Sequence, residues 1–258
     1  MRSRKRGAAW KIDSSSVPKE LLDALPKFAD PVEKVVPHEQ LLFRALTETF
    51  AAPEQLRCDW RTSGALSPPS FQGSCNTCTS FAVVAVVEAL HYLKAKTRIK
   101  LAPGFIHSCL LGRPCNFGAT AQEALDASAA HGIALGFPGD YPFPTSSCST
   151  FNLYRVGQRV RLSSPNEAML TLLNHGPIVA DMFIDPSFVN LAPGDIYRLK
   201  DPDKSVLHSI CVVGFDQQAQ YWIVMNSYGQ GWSEGGFGRV AFGSGGLLST
   251  RAGWQVVV

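Results

Sequence analysis

Apolar residues fill every position from Phe81 to Val87, and more follow after Glu88. This pattern predicts a helix over 78–94 with almost no polar face, which is typical of a helix enclosed by the rest of its protein. The unbroken apolar run ends at Glu88, whereas a membrane-spanning helix needs about 20 apolar residues. We therefore expect no membrane-spanning segment and no membrane partner.

Two further helices are predicted, at 120–131 and at 165–175. The second has clear helix-start signals, because Ser164 is a candidate N-cap and Pro165 suits the first helical position. Glu167, three residues after Ser164, completes the pattern of a capping box.

Strand-like runs dominate the second half of the chain and lie at 178–184, 205–215, 221–226 and 237–242. Because helices come first and strands follow, the order favours an α+β protein with two lobes. The predicted divisions are an N-terminal extension over 1–57, a helical lobe over 58–160 and a β-rich lobe over 161–258.

Residues 1–57 have the composition of an appendage. They contain a basic head, three consecutive serines and several prolines, and their two short amphipathic stretches are too small to hold a core. Five cations lie in the first eleven residues, so the rest of the chain is slightly acidic although the net charge is +3. A nucleic-acid-binding protein carries its positive charge on the fold, so no nucleic-acid partner is expected. No apolar segment follows the basic head, which predicts the absence of a Sec-type signal peptide.

Segment 72–81 places a cysteine where a loop enters the predicted buried helix. The positive end of a helix dipole lowers the pKa of a nearby thiol and favours the reactive thiolate, so Cys78 is a candidate nucleophile. Such a cysteine needs an imidazole that is distant in sequence and near in space. His208 begins an apolar run, and Asn226 ends the next one. These residues predict thiol-based catalysis that needs no metal and no cofactor.

Other interpretations of these residues are weaker. Cys75 and Cys78 form a Cys-x-x-Cys pair, as redox and zinc sites do, but the sequence lacks the flanking strands of a thioredoxin-like unit and a second close pair of ligands. His208 on its own would be interpreted as a core histidine. Asn226, at the end of the next strand, favours catalysis instead.

Five motifs follow one another between Cys58 and the C-terminus. They are Asp-Trp-Arg at 59–61, Gln-Gly-Ser-Cys-x-x-Cys-x-x-Phe at 72–81, Cys-Asn-x-Gly at 115–118, the strand that carries His208, and Asn-Ser-x-Gly-x-Gly-Trp at 226–232. In this order and spacing the sequence resembles the papain family of cysteine peptidases. The resemblance implies a papain-like two-lobe α+β fold, with a helical N-terminal lobe, an antiparallel β-barrel-like C-terminal lobe and the active-site cleft between them.

The resemblance also assigns catalytic roles by position. It makes Cys78 the nucleophile and His208 the general base and acid. Asn226 orients the imidazole, and Gln72 forms an oxyanion hole together with the backbone N–H of Cys78. A donor of this kind stabilises the negative charge that develops on the attacked carbonyl oxygen.

The seven cysteines fit the same resemblance. It implies disulfide bonds that join Cys75 to Cys115 and Cys109 to Cys148. Besides the nucleophile, two thiols stay unpaired. Cys211 is expected to be a small buried hydrophobe, and Cys58 matches no family cysteine.

Several departures from the family pattern concern the cleft. Thr79 and Tyr228 stand where tryptophan is usual, and Asn76 and Phe117 stand where glycine is usual. Because glycine lets a substrate backbone approach closely, we expect a narrower cleft and a restricted substrate range. The predicted substrate-binding residues are Asn76, Asn116, Phe117, Gly118, Asp181, Leu207 and Tyr228. Asp181, with Val206 and Leu207, is expected to line an acidic second subsite that favours a basic side chain.

The implied function is hydrolysis of a protein or peptide substrate through a thioester acyl-enzyme. Two alternatives stay open: a peptide ligase or acyltransferase, in which an amine replaces water at the same Cys–His pair, and a papain-like binding protein with a blocked cleft. Two disulfides predict a secreted protein or another oxidising compartment. We expect a monomer in which residues 1–57 are a candidate for intramolecular inhibition.

Overall fold

The structure, a computed structural model, describes residues 56–136, 148 and 152–258. The α-helices of this part are α1 (Cys78–Ala95), α2 (Ala121–His131) and α3 (Pro165–Asn174). A π-helical turn spans Phe105–Leu110, and 3-10 turns span Trp60–Thr62, Pro186–Phe188, Pro202–Lys204 and Ser244–Gly246. The extension predicted over 1–57 falls almost entirely outside the described residues.

The strands of the described part are β1 (Arg57–Asp59), β2 (Ile133–Ala134), β3 (Leu153–Tyr154), β4 (Arg159–Leu162), β5 (Ile178–Ile184), β6 (Ile196–Tyr197), β7 (Val206–Asp216), β8 (Tyr221–Met225), β9 (Phe237–Ala241) and β10 (Gly253–Val256). One large sheet has the order β4-β10-β5-β7-β8-β9-β6, with β1 added along β7, while β2 and β3 form a separate pair. The expected α+β fold is confirmed, and the four predicted strands are β5, β7, β8 and β9.

The expectation of a barrel-like lobe needs a correction. The end strands of the large sheet, β4 and β6, do not pair with each other within the described residues, so the sheet stays open. It is also not wholly antiparallel, because the two-residue strand β6 runs parallel to β9.

Polar caps begin α2 and α3, but only one of them forms a complete capping box. At α2, Thr120 accepts a hydrogen bond from the backbone N–H of Glu123, and the Glu123 carboxylate accepts one from the backbone N–H of Thr120. At α3, Ser164 accepts from the backbone N–H of Glu167 as predicted. The Glu167 carboxylate, however, accepts from the backbone N–H of Ser163, so the second half of the predicted box is made one residue earlier.

Helix α1 is the centre of the core, as its all-round apolar sequence predicts. Val83, Val86 and Val87 are fully buried, and the helix packs against β7. By length and by mean hydropathy, 1.3, α1 would also qualify as a membrane span, yet 61% of it is buried inside the protein. The core helix of a soluble protein has the same properties, so α1 is weak evidence for a membrane.

Strand β1 pairs antiparallel with β7, and one position of β7 in this pairing accommodates only glycine. Gly214 lies at a register shift between β7 and β8 and pairs with Asp59 of β1. A Cβ atom at Gly214 would stand 2.2 Å from the carbonyl oxygen of Cys58. The backbones of β1 and β7 can therefore approach only because this position has no side chain.

We expect Gly214→Ala to lower the free energy of unfolding by about 1–3 kcal/mol, the usual cost of forcing an extra methyl group into a packed site. Urea denaturation of the two proteins measures the difference. Gly231→Ala is the matched control, because a Cβ atom there meets nothing within 4 Å. Equal stability of the two variants would contradict this account of the β1–β7 contact.

Candidate active site

The thiol of Cys78 is positioned by the start of α1. Cys78 is the first residue of the helix and is half-buried. The loop before it turns at Gly73, whose φ of +62° is readily adopted by glycine. The predicted disulfide between Cys75 and Cys115 is present, with an S–S distance of 2.02 Å. The loop that presents the thiol is thus fastened to the segment before α2.

The second predicted disulfide, between Cys109 and Cys148, is also present. The remaining thiols differ sharply from Cys78. Cys58 donates its S–H to the carbonyl oxygen of Leu172, and burial raises the pKa of Cys58 to about 12. Burial also raises the pKa of Cys211, which is fully enclosed. Neither thiol is therefore suited to act as a thiolate.

The imidazole of His208 comes from the sheet. His208 is the third residue of β7, pairs with Met182 of β5 and is only 4% exposed. Asn226 follows the end of β8 and is equally buried. Its Oδ1 atom lies 2.9 Å from Nε2 of His208 and also accepts the backbone N–H of Ser227. Asn226 is therefore fixed in the orientation that accepts a hydrogen bond from the Nε2–H of the ring, which leaves the other ring nitrogen for Cys78.

Cys78 and His208 stabilise each other's charged forms. Burial by itself would raise the pKa of Cys78, but the charge of His208 and a hydrogen bond with it lower the pKa overall. Burial by itself would lower the pKa of His208, but the Cys78 thiolate and hydrogen bonds with Cys78 and Asn226 raise it overall. The opposite directions of the two shifts are those of a thiolate–imidazolium pair.

Gln72 lies beside this pair and is held from three sides. Its backbone N–H donates to the carbonyl oxygen of Ser227, and its Oε1 atom accepts the hydroxyl proton of Ser227 at 2.5 Å. Its Nε2 atom donates to the carbonyl oxygen of Cys75 at 2.8 Å. An amide nitrogen carries two protons, so one N–H of Gln72 is left for a substrate oxygen.

Two aromatic rings pack against the imidazole of His208. The ring of Tyr228 lies 5.4 Å from that of His208, and the ring of Phe188 lies 5.8 Å from it. Burial raises the pKa of Tyr228 to about 12, so its hydroxyl stays neutral. Sequence reasoning found Tyr228 and missed Phe188, whose only signal is the Asp185-Pro186 turn that places it over the end of β5.

The predicted subsite residues have different surroundings. Asn76 donates through its side chain to the carbonyl oxygen of Asn116. A Cβ atom at Gly118 would lie 3.8 Å from the carbonyl oxygen of Asn76, which is ordinary contact. Phe117 and Leu207 are exposed apolar side chains, at 60% and 38%. Their contact with substrate stays a prediction, as does that of Tyr228.

Asp181 differs from the other predicted subsite residues because it is buried. Its carboxyl oxygens contact the hydroxyl of Ser209 and the backbone N–H of Ala121. Phe71, which sequence reasoning missed, is more prominent: it is 68% exposed and its backbone pairs with Tyr228. A single phenylalanine between polar residues carries no periodic signal that could have identified it.

A cavity of 290 Å³ begins at Cys78 and follows one face of α1. The helix contributes Cys78, Phe81, Ala82, Val84, Ala85 and Glu88, most of which recur at helical spacing. The rest of the lining comes from loops 67–71 and 100–104, from β7 at Ser209 and Ile210, and from residues 225–227 at the end of β8. The described residues include no group of three or more His, Cys, Asp and Glu side chains that could hold a metal ion.

Known proteins are similar to this one in sequence and in fold. Digestive cysteine proteinase 1 of Homarus americanus is 27% identical over 208 residues, which are 76% of this chain and 64% of that protein. Digestive procathepsin L 3 of the Tenebrio molitor larval midgut has a TM-score of 0.63 at 24% identity, covering 81% of this chain and 72% of that one. A Carica candamarcensis cysteine protease in complex with E-64 has a TM-score of 0.64 at 24% identity, covering 77% and 96%.

The two structural likenesses show a common fold, and the chain spans less than two thirds of the lobster protein. A sequence profile described as papain family cysteine protease matches residues 53–251, most of the chain. That match includes Gln72, Cys78, His208 and Asn226, the residues that the structure brings together. The chain therefore belongs to the papain family of cysteine proteases.

Proposed function

We propose that this protein is a cysteine peptidase that hydrolyses peptide bonds, with Cys78 as nucleophile and His208 as general base and acid. The observation that carries the proposal is the Cys78–His208 pair, in which a helix N-terminus supplies the thiol and a buried strand supplies the imidazole. The hydrogen bond of 2.9 Å between Nε2 of His208 and Oδ1 of Asn226 supports a fixed orientation of the imidazole ring. A binding protein would have no need of this arrangement, so catalysis is the better explanation.

The reaction follows from these positions. The Cys78 thiolate attacks the carbonyl carbon, and the electron pair of the C=O bond moves to its oxygen. The free N–H of Gln72 and the backbone N–H of Cys78 stabilise that oxyanion. When the tetrahedral intermediate collapses, the C–N bond breaks and the leaving amine takes the proton of the His208 imidazolium. The product is a thioester between the substrate acyl group and Cys78.

Water completes the cycle. Neutral His208 removes a proton from a water molecule that attacks the thioester carbonyl, and the C–S bond breaks to release the acid. The proton stays on His208, which restores the thiolate–imidazolium pair. The same steps with an amine in place of water would give peptide ligation, so the mass of the product, with and without an added amine, distinguishes the two.

The finer properties extend the proposal. Asn76 and Phe117 replace glycines beside the cleft and support a restricted range of peptide substrates. Two disulfides support a secreted protein or another oxidising compartment. We further propose that residues 1–57 inhibit the enzyme within the same chain, and that the enzyme acts as a monomer.

Selective alkylation tests the ion pair. We expect iodoacetamide to label Cys78 in mildly acidic buffer, about pH 6, while Cys58 and Cys211 stay unlabelled, because a lowered pKa preserves the thiolate and a raised pKa removes it. The rate should fall at lower pH, as Cys78 gains a proton, and the imidazolium should be lost at higher pH, as His208 releases one.

Peptide mass spectrometry locates the label, and an epoxysuccinyl probe repeats the test with a second chemistry. Equal labelling of all three thiols would contradict an activated nucleophile. In that case a substrate assay would be expected to show no turnover.

A further inference from the structure

Two hydroxyl groups connect the neighbours of the nucleophile and the base. Thr79 follows Cys78 in sequence, and Ser209 follows His208. Their oxygen atoms lie 2.7 Å apart, although the residues are separated by 130 positions. Both side chains are almost completely buried. The contact therefore joins the first turn of α1 to β7 directly beside the reacting pair.

This contact belongs to a longer chain of oxygen atoms. At one end Thr79 Oγ1 lies 2.6 Å from the carbonyl oxygen of Ala119. At the other end Ser209 Oγ lies 2.5 Å from Oδ1 of Asp181. Four oxygen atoms thus make three consecutive contacts at hydrogen-bond distance. The chain runs from the segment before α2, through α1 and β7, to β5.

The number of available protons limits how these three contacts can be hydrogen-bonded. Each of the three contacts needs one proton, and the two hydroxyl groups supply only two. The carbonyl oxygen of Ala119 cannot donate, so all three contacts can be hydrogen bonds only when the Asp181 carboxyl group carries the third proton. In that protonated form Thr79 donates to Ala119, Ser209 to Thr79, and Asp181 to Ser209. An ionised Asp181 would instead accept from Ser209 and leave the contact between Thr79 and Ser209 without a proton.

The surroundings of Asp181 suit a carboxyl group that keeps its proton. Burial raises the pKa of Asp181, although the hydrogen bonds that Ser209 and Ala121 would donate to an ionised carboxylate and the charges of Arg251 and His208 act in the opposite direction. The backbone N–H of Ala121 lies 3.3 and 3.2 Å from the two carboxyl oxygens and can donate to a neutral acid as well.

We propose that Asp181, held as a neutral acid, is a positioning residue that fixes the spacing of Cys78 and His208 through the hydroxyl groups of Ser209 and Thr79. This inference rests on the proposed peptidase function. Asp181 touches neither reacting atom; it pairs with Ser209 across β5 and β7, next to the pair of Met182 and His208.

Ser209 has a second link to the nucleophile. Its backbone N–H is one of the donors that lower the pKa of Cys78, after the contributions of His208. The placement of Ser209 by Asp181 therefore also sets the placement of a donor to the thiolate. Tryptophan, the usual family residue at position 79, has no hydroxyl group. The row of hydrogen-bonded oxygen atoms therefore depends on Thr79.

The rate at which iodoacetamide alkylates Cys78 tests the proposal without requiring a substrate. Thr79→Val, Ser209→Ala and Asp181→Ala should each lower the second-order rate constant about fivefold to tenfold, the effect of losing one buried hydrogen bond. Thr79→Ser should recover most of the rate lost in Thr79→Val. Asp181→Asn should recover most of the rate lost in Asp181→Ala, because its amide N–H replaces the acid proton.

Two further variants sharpen the test. The double variant Thr79→Val with Ser209→Ala should be no slower than the slower single variant, because both remove the same contact. Thr171→Val is the matched control: it removes a buried hydroxyl that donates to Glu167 within α3, and the rate should not change. Thermal unfolding of each variant establishes that the protein compared is folded.

The alkylation rates of these variants can overturn the proposal in two ways. Wild-type rates in Thr79→Val would overturn the proposal, and an Asp181→Asn protein as slow as Asp181→Ala would overturn the neutral acid. If Asp181→Ala does not fold, the rate of Ser209→Ala still decides, because the Thr79 hydroxyl also lies 4.0 Å from Sγ of Cys78 and can act on the thiol directly. A wild-type protein without a selectively reactive Cys78 would instead refute the peptidase function itself, so the two failures are distinguishable.

Discussion

Replacing Cys78 with alanine is expected to lower kcat by roughly four orders of magnitude or more, the scale on which removal of a nucleophile acts in covalent catalysis. No other described thiol can substitute for it, because burial raises the pKa of both Cys58 and Cys211. The fold should survive, since alanine suits the first position of a helix and the side chain of Cys78 is only half-buried. Hydrolysis of a fluorogenic peptide measures the loss, and circular dichroism measures the fold.

Cys58→Ala is the matched control for this experiment. Cys58 is a free thiol like Cys78, and it lies on β1 with its S–H directed to Leu172. Its removal should leave kcat unchanged within about twofold while costing some stability. Turnover that survives in Cys78→Ala, or that disappears equally in Cys58→Ala, would refute the assignment of the nucleophile.

The second large effect is expected at Gln72. Gln72→Ala should lower kcat by about 10²–10³ and leave KM nearly unchanged, because the amide N–H binds an oxygen that is charged only in the transition state. Steady-state kinetics on one peptide substrate separates the two constants. A rise in KM at constant kcat would show that Gln72 binds the ground state instead.

Gln72→Glu separates the lost donor from the lost packing. A glutamate keeps the acceptor for the Ser227 hydroxyl and the size of the side chain, yet it offers no N–H to the substrate or to the carbonyl oxygen of Cys75. We expect it to be as slow as Gln72→Ala. Gln122→Ala, on the exposed face of α2, should have normal kinetics and controls for the loss of an amide elsewhere.

The elements that the sequence predicts well are those with a long local signal. Helix α1 and strand β5 have the predicted starts, since α1 contains an apolar run of seven residues and six of the seven residues of β5 are apolar, interrupted only by Asp181. The short strands β1, β4 and β10 were not predicted. Each has three or four residues and pairs with strands far away in sequence, so no local period identifies it.

The candidate site divides in the same way. Cys78, His208 and Asn226 stand in motifs whose order carries the information. Phe188 and Ser209 depend on three-dimensional contacts: one side chain reaches its place through a tight turn, and the other becomes important only because Thr79 lies opposite it. Single residues without a partner in the sequence cannot be recognised before the strands are paired.

Cys75 is joined to Cys115 only three residues before the thiol that must stay reduced. Cys75 must therefore be oxidised to a disulfide while Cys78, three residues later, stays a free thiol. A strong reductant that protects the nucleophile would also open the loop that presents it, because thiolates attack disulfides through a mixed intermediate. Purification and assay of this protein call for a mild thiol at low concentration.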